Sequence, residues 1–171
     1  MIQRFEEHFL FVKSLPKTIQ NQITVRLHRN EYGWYIDKRW KDQFSDIVLD
    51  DGTSNMDHLM RNSRIFVYTY NSTGYLESLS WNIPTLIFWN LDSSPLRDDA
   101  MPYYNRLKEA GIFHQTPQSA AAKVAEIWDV VPTWWNQQEI QEARELFCYR
   151  FARTISNPTT VLKSILLSIK E

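Results

Sequence analysis

The chain has 171 residues, 43% of them hydrophobic and 23% charged, which suits one globular domain with a sizeable core. Its formal net charge of −1 gives no basic field for nucleic acid and no acidic tail. Cys148 is the one cysteine, so no internal disulfide forms, and no apolar run approaches the roughly 18 residues that span a bilayer.

Apolar residues at Ile2, Phe5, Phe9 and Val12 follow helical spacing and predict an opening helix. That N-terminus has no secretory-signal pattern, so a cytoplasmic location is expected. Ile23 to His28 is rich in β-branched residues and predicts a strand. Asn30-Glu31-Tyr32-Gly33 predicts a turn, followed by a helix near Asp37 to Phe44 and a short strand over 46–50. Asp51 to Ser54 turns the chain, and Ser54 or Asn55 is placed to cap a helix through Met60. Ile65 to Tyr70 is a continuous apolar run, the pattern of a strand covered on both faces.

A helix over 73–82 and a strand over 85–89 come next, then a loop from Asn90 to about Ala100. Pro102 opens a helix that ends near Ala110, with Gly111 just past its end, and 112–114 is a very short strand. Ser119 to Trp128 is an alanine-rich helix, Pro132 marks a break, Gln137 to Arg153 is an amphipathic helix, and 159–169 is a last one. All 4 glycines fall at predicted turns or element ends, where a positive φ is expected. Alternating strands and helices predict an α/β fold: a doubly wound, mainly parallel, Rossmann-like sheet of about five strands. Helices cover both of its faces, further helices follow at the C-terminus, and residues 1–171 form a single domain.

The candidate chemistry centres on Asn71-Ser72-Thr73-Gly74, where the third strand ends and a helix begins. Ligands of open α/β sheets bind at that edge, and a helix N-terminus presents N–H groups and partial positive charge to an anion. Asn71 or Ser72 is also the expected cap of this helix. Glu77 lies one turn in, a position that the helix dipole alone already favours for an acid. Arg26 and His28 end the first strand at the same edge, with Arg29 beside them, and the forked guanidinium of Arg26 suits phosphate. The loop after the fourth strand offers Asn90, Asp92, Ser93 and Arg97. Asp98 and Asp99 form an acidic pair without further ligands at metal spacing, so no metal site is expected. His8, His58 and His114 are lone histidines, with His114 placed to reach a base, and Cys148 fits a packed thiol. No Ser-His-Asp order, P-loop, GxGxxG or CxxC pattern is present.

Ser72-Thr73-Gly74, Glu77 and Pro84 together resemble the donor-binding half of glycosyltransferases with the B-type fold, which carry a Ser/Thr-Gly turn, a helical Glu and a Pro before the next strand. The run through Phe88-Trp89 is similar to bacterial surface-carbohydrate biosynthesis transferases, and the similarity extends more loosely from about Ile23 to Phe151. The resemblance implies that a nucleotide sugar is bound, its diphosphate at Ser72, Thr73, Gly74 and Arg26 and its ribose at Glu77. It places His28, Asn90, Asp92, Ser93 and Arg97 near the donor sugar, and no cofactor beyond that substrate is expected. It also implies an N-terminal acceptor-binding domain, which would supply any general base, so no catalytic residue is assigned. A homo-oligomer is a further expectation, from the 7 tryptophans and other aromatics at element ends. The alternative is a non-catalytic nucleotide-binding or protein-interaction module on the same fold.

Overall fold

The computed structural model describes residues 2–30 and 32–169, with side chains from residue 5 onward. The Ile2 side chain of the opening stripe and Glu31 of the expected turn lie outside that description. Ten helices and five short strands form among the described residues. The first half comprises α1 (Ile2–Ser14), α2 (Lys17–Gln20), β1 (Thr24–Arg26), α3 (Ile36–Gln43), β2 (Val48–Asp50), α4 (Met56–Asn62) and β3 (Phe66–Tyr68). The second comprises α5 (Thr73–Ser80), β4 (Thr85–Phe88), α6 (Met101–Glu109), β5 (Phe113–His114), α7 (Pro117–Ile127), α8 (Val131–Trp135), α9 (Gln138–Phe151) and α10 (Pro158–Ser168).

The α/β class and the order of elements follow the sequence pattern, but the single sheet does not. β1 pairs in parallel with β2, and β3, β4 and β5 form a separate parallel sheet in that order. β1 is three residues long and only its middle residue, Val25, leaves solvent; the pair Arg26 and Asp50 ends its ladder. The expectation of full coverage also moves by one strand. β3 is half-buried because it is an edge strand, whereas β4, between two neighbours, is buried at every residue.

Alternation along β4 separates two layers. Phe88 stacks on Phe11 of α1 at 5.2 Å between ring centroids, while Trp89 meets Tyr75 of α5 and Tyr104 of α6 at 6.0 and 5.7 Å. The α1 side is completed by α7, and the opposite side by α9, which packs on both α5 and α6. One contiguous core spans these layers and reaches Val25 and Leu49 of the smaller sheet.

Local chemistry sets the boundaries. The Asn55 side chain caps α4 by accepting from the His58 N–H at 3.2 Å, and Thr116 caps α7 through Ser119. Gly111 takes φ +71° just after α6, the left-handed residue that ends a helix. Two short helices, α2 and α8, are absent from the sequence reading; Pro16 precedes the first and Pro132 lies in the opening turn of the second, so that proline starts a helix where a break is expected.

Candidate functional site

The C-terminal ends of β1 and β3 and the start of α5 make up the site region. Ser72 is the N-cap residue of α5 in extended conformation, yet no side chain makes a capping hydrogen bond. The cap expected from Asn71 or Ser72 is therefore missing, for a visible reason. Tyr75 donates its hydroxyl to Asn71 Oδ1 at 2.8 Å, and the Tyr104 hydroxyl lies 2.5 Å from that of Tyr75. With Tyr75 donating to Asn71, the proton between the phenols belongs to Tyr104. The Asn71 side-chain oxygen is thus taken by Tyr75. The first N–H groups of α5 are left to solvent or a ligand, the arrangement that favours an anion. Burial, reinforced by Tyr104, raises the pKa of Tyr75 far above the ordinary phenol range, and burial raises that of Tyr104 too. Both phenols are neutral hydrogen-bonding groups, not proton-transfer groups, near neutral pH.

Gly74 does not take a positive φ, unlike Gly33, Gly52 and Gly111. Its lack of a side chain serves packing: a Cβ there would stand 2.7 Å from Cε1 of Tyr68. The space left by the missing side chain is filled by a ring of the protein itself. Tyr68 in turn bonds the buried Ser78 hydroxyl at 2.6 Å, which locks β3 against the first two turns of α5.

Arg26 ends β1 directly across from Asp50 of β2 in the parallel register. Arg26 Nη1 donates to Asp50 Oδ2 at 2.5 Å and Nη2 to the Gly52 carbonyl at 3.0 Å. Burial of Asp50 works to raise its pKa, but hydrogen bonds from Ser54 and Gly52 and the charge of Arg26 outweigh it and hold the carboxyl below its ordinary value. The guanidinium is thus held by two partners, and its side chain is 32% exposed. Burial raises the Tyr68 phenol pKa, and the charges of Glu77 and Arg26 act on it with opposite signs. Glu77 is exposed and enters no ion pair among the described residues. Ser72, Thr73, Gly74 and Glu77 lie together at the start of α5, whereas Arg26 belongs to the separate β1–β2 sheet.

The other expected residues have partners of their own. Loop 90–99 is tied to itself: Asn90 Oδ1 accepts from the Asp92 N–H at 2.8 Å, and the Ser93 hydroxyl donates to the Asn90 carbonyl at 2.9 Å. Arg97 pairs with Asp99, which also meets Arg150 of α9. No hydrogen bond joins this loop to α5 among the described residues. A shallow hollow lies along Leu96–Asp99, and a second of about 500 Å³ lies between α1 and α3; neither is at the start of α5. His28 is exposed and its Nδ1 accepts from the Asn30 N–H at 3.1 Å. His114 is held internally by the Gly111 carbonyl and the Ser119 hydroxyl, and burial lowers its pKa, so it is a neutral structural group. Burial raises the Cys148 thiol pKa, consistent with a packed side chain rather than a nucleophile.

Sequence reasoning missed Asp50, Tyr68, Ser78 and the Tyr75–Tyr104 relay. Asp50 carried a signal, an acid at the end of the strand that follows Arg26, but its use requires knowing that the two strands are neighbours. The tyrosines carried no such signal, because phenol pairing across elements leaves no spacing pattern.

The region thus holds an uncapped helix N-terminus after β3 and, at the end of β1, an arginine fixed by Asp50. The family model described as LIC12162 family transferase matches residues 1–166, and the chain belongs to that family of transferases. No curated protein and no solved structure matches the chain. No helix among the described residues is long and apolar enough to cross a membrane.

Proposed function

We propose that this chain is the donor-binding domain of a glycosyltransferase-like enzyme that uses a nucleotide sugar in the synthesis of bacterial surface polysaccharide or a related glycoconjugate. Membership of a transferase family supports the reaction class. The observation that carries the finer reading is the start of α5, which no side chain caps. In this reading the N–H groups of Thr73 and Gly74 hold the diphosphate, with Ser72 and Thr73 adding hydroxyls. Glu77 accepts hydrogen bonds from the ribose. Arg26, pre-set by Asp50, stabilises the charge that develops on the departing nucleotide as an acceptor hydroxyl attacks the anomeric carbon. That charge is met by fixed dipoles and a guanidinium, so the reading requires no metal. An N-terminal domain or a second chain brings the acceptor and the general base.

Calorimetric titration of the chain with UDP, GDP, CMP, CDP and TDP forms of nucleotides and nucleotide sugars tests this. One nucleotide is expected to bind saturably, and Glu77→Ala to weaken it on the order of tenfold, the loss of a charge-assisted hydrogen bond worth about 1.5–3 kcal/mol. Binding of none of them overturns the reading for this chain and favours a protein-interaction role.

A further inference from the structure

Among the described residues, α10 is the one helix that buries no residue. Leu162, Ile165, Leu166 and Ile169 are 57, 50, 55 and 73% exposed, and Val161 is half-buried. None of the five belongs to the core or packs on it. They are nonetheless ordered along the helix. Spacings of one, three and four residues gather them on a single face, within about 140° of one another at 3.6 residues per turn. The opposite side carries Thr159, Thr160, Lys163, Ser164 and Ser168, with Leu167 alone among them.

A helix of this kind is incomplete by itself. α10 has 11 residues, and helices shorter than about 12–15 residues are marginal in water unless an apolar face is packed. Its own domain does not supply that packing, so another surface does. Two observations indicate which. Lys163 is the only charged residue of α10, whereas a helix that lies on anionic lipid lines its polar side with several cations. The area also fits a pair. The stripe exposes on the order of 500 Å², so two stripes face to face remove about 1,000 Å² from water, the size of a weak but specific interface.

We propose that α10 is a homodimerisation element, through which two copies of this chain pair across a two-fold axis. An antiparallel arrangement opposes the two helix dipoles. It sets Leu162 against Ile169 of the partner subunit and Ile165 against Leu166 of the partner subunit, and the symmetry repeats each contact. Lys163 lies off this seam, so no like charges meet. The inference does not depend on the donor-binding reading above.

Sedimentation velocity of the full chain, from micromolar to submillimolar concentration, tests it. A concentration-dependent monomer–dimer equilibrium is expected. Ile165→Glu and Leu166→Glu each bury a charge in the seam and are expected to weaken the dimer on the order of a hundredfold. Leu167→Glu makes the same change on the other side of the helix and is expected to leave the dimer intact. All three variants are expected to keep the wild-type unfolding midpoint at dilution, because α10 buries nothing in one copy. A wild-type chain that stays monomeric throughout overturns the proposal; flotation of that monomer with phosphatidylglycerol vesicles, lost in Leu166→Glu, would make lipid the occupant instead. A dimer that survives both seam variants overturns it, since the contact then lies elsewhere. Equal weakening by Leu167→Glu overturns the assignment to the stripe. A lowered midpoint at dilution in the seam variants also overturns it, because α10 then packs on its own domain.

Discussion

Gly74 and Asp50 carry roles that residue type alone does not announce. Gly74 sits in the first turn of α5 so that the Tyr68 ring, anchored by Ser78, can lie against the helix. Gly74→Ala brings a Cβ to 2.7 Å from a ring that cannot swing away without losing its hydrogen bond. Overpacking of this kind costs about 1–3 kcal/mol. The gain in helix propensity returns roughly 1 kcal/mol at most. A net loss of stability is therefore expected in denaturant unfolding, and an unchanged midpoint would remove the packing role. Asp50 makes a pH prediction. Its folded pKa is depressed, so its contribution is complete above the ordinary carboxylate value near 3.9 and fades as pH falls through the folded value. Asp50→Asn is expected to lower stability at neutral pH and to flatten the loss of stability between about pH 5 and 2. Unfolding midpoints measured across that range check both halves.

Among the elements, α5 and α10 are opposites. α5 buries Tyr75, Ser78 and Leu79, and its last turn is held from α9, where the buried Arg144 donates Nη1 to the Leu79 carbonyl at 3.1 Å. α10 buries nothing; Leu162, Ile165, Leu166 and Leu167 are each at least half exposed. Leu79→Ala is expected to cost about 2–5 kcal/mol. Leu166→Ala should fall within about 0.5 kcal/mol of wild type, as exposed substitutions do. The two midpoints, measured side by side, test whether α10 contributes to this fold. At the other end of α5, Tyr104→Phe removes the donor to Tyr75 and leaves a buried oxygen short of a partner. A loss of roughly 1–3 kcal/mol is expected in the same measurement.

For the whole molecule, two small sheets share one core, from Val25 and Leu49 through β4 to α1, α7 and α9. One cooperative unfolding transition is expected, coincident by far-UV circular dichroism and tryptophan fluorescence; a separate early transition would mean that the β1–β2 pair unfolds independently. Most elements were legible in the sequence because local signals write them. Ile65 to Tyr70 and Thr85 to Trp89 are short apolar runs, Asn55 is a cap three residues before His58, and Gly111 follows a helix opened by Pro102. The position of Ser72-Thr73-Gly74 between a strand and a helix was legible for the same reason. Longer-range features were not. The division of the strands into two sheets depends on which strands become neighbours in space. Asn71 Oδ1 is taken by Tyr75, which Tyr104 in turn holds, and the orientation of Arg26 depends on Asp50, which lies 24 residues away in the chain. By itself the sequence determined the order and type of the elements, since periodicity and turn chemistry act over a few residues. Only the tertiary structure decided which polar groups were consumed by one another and which were left open, because that competition is settled by proximity in space.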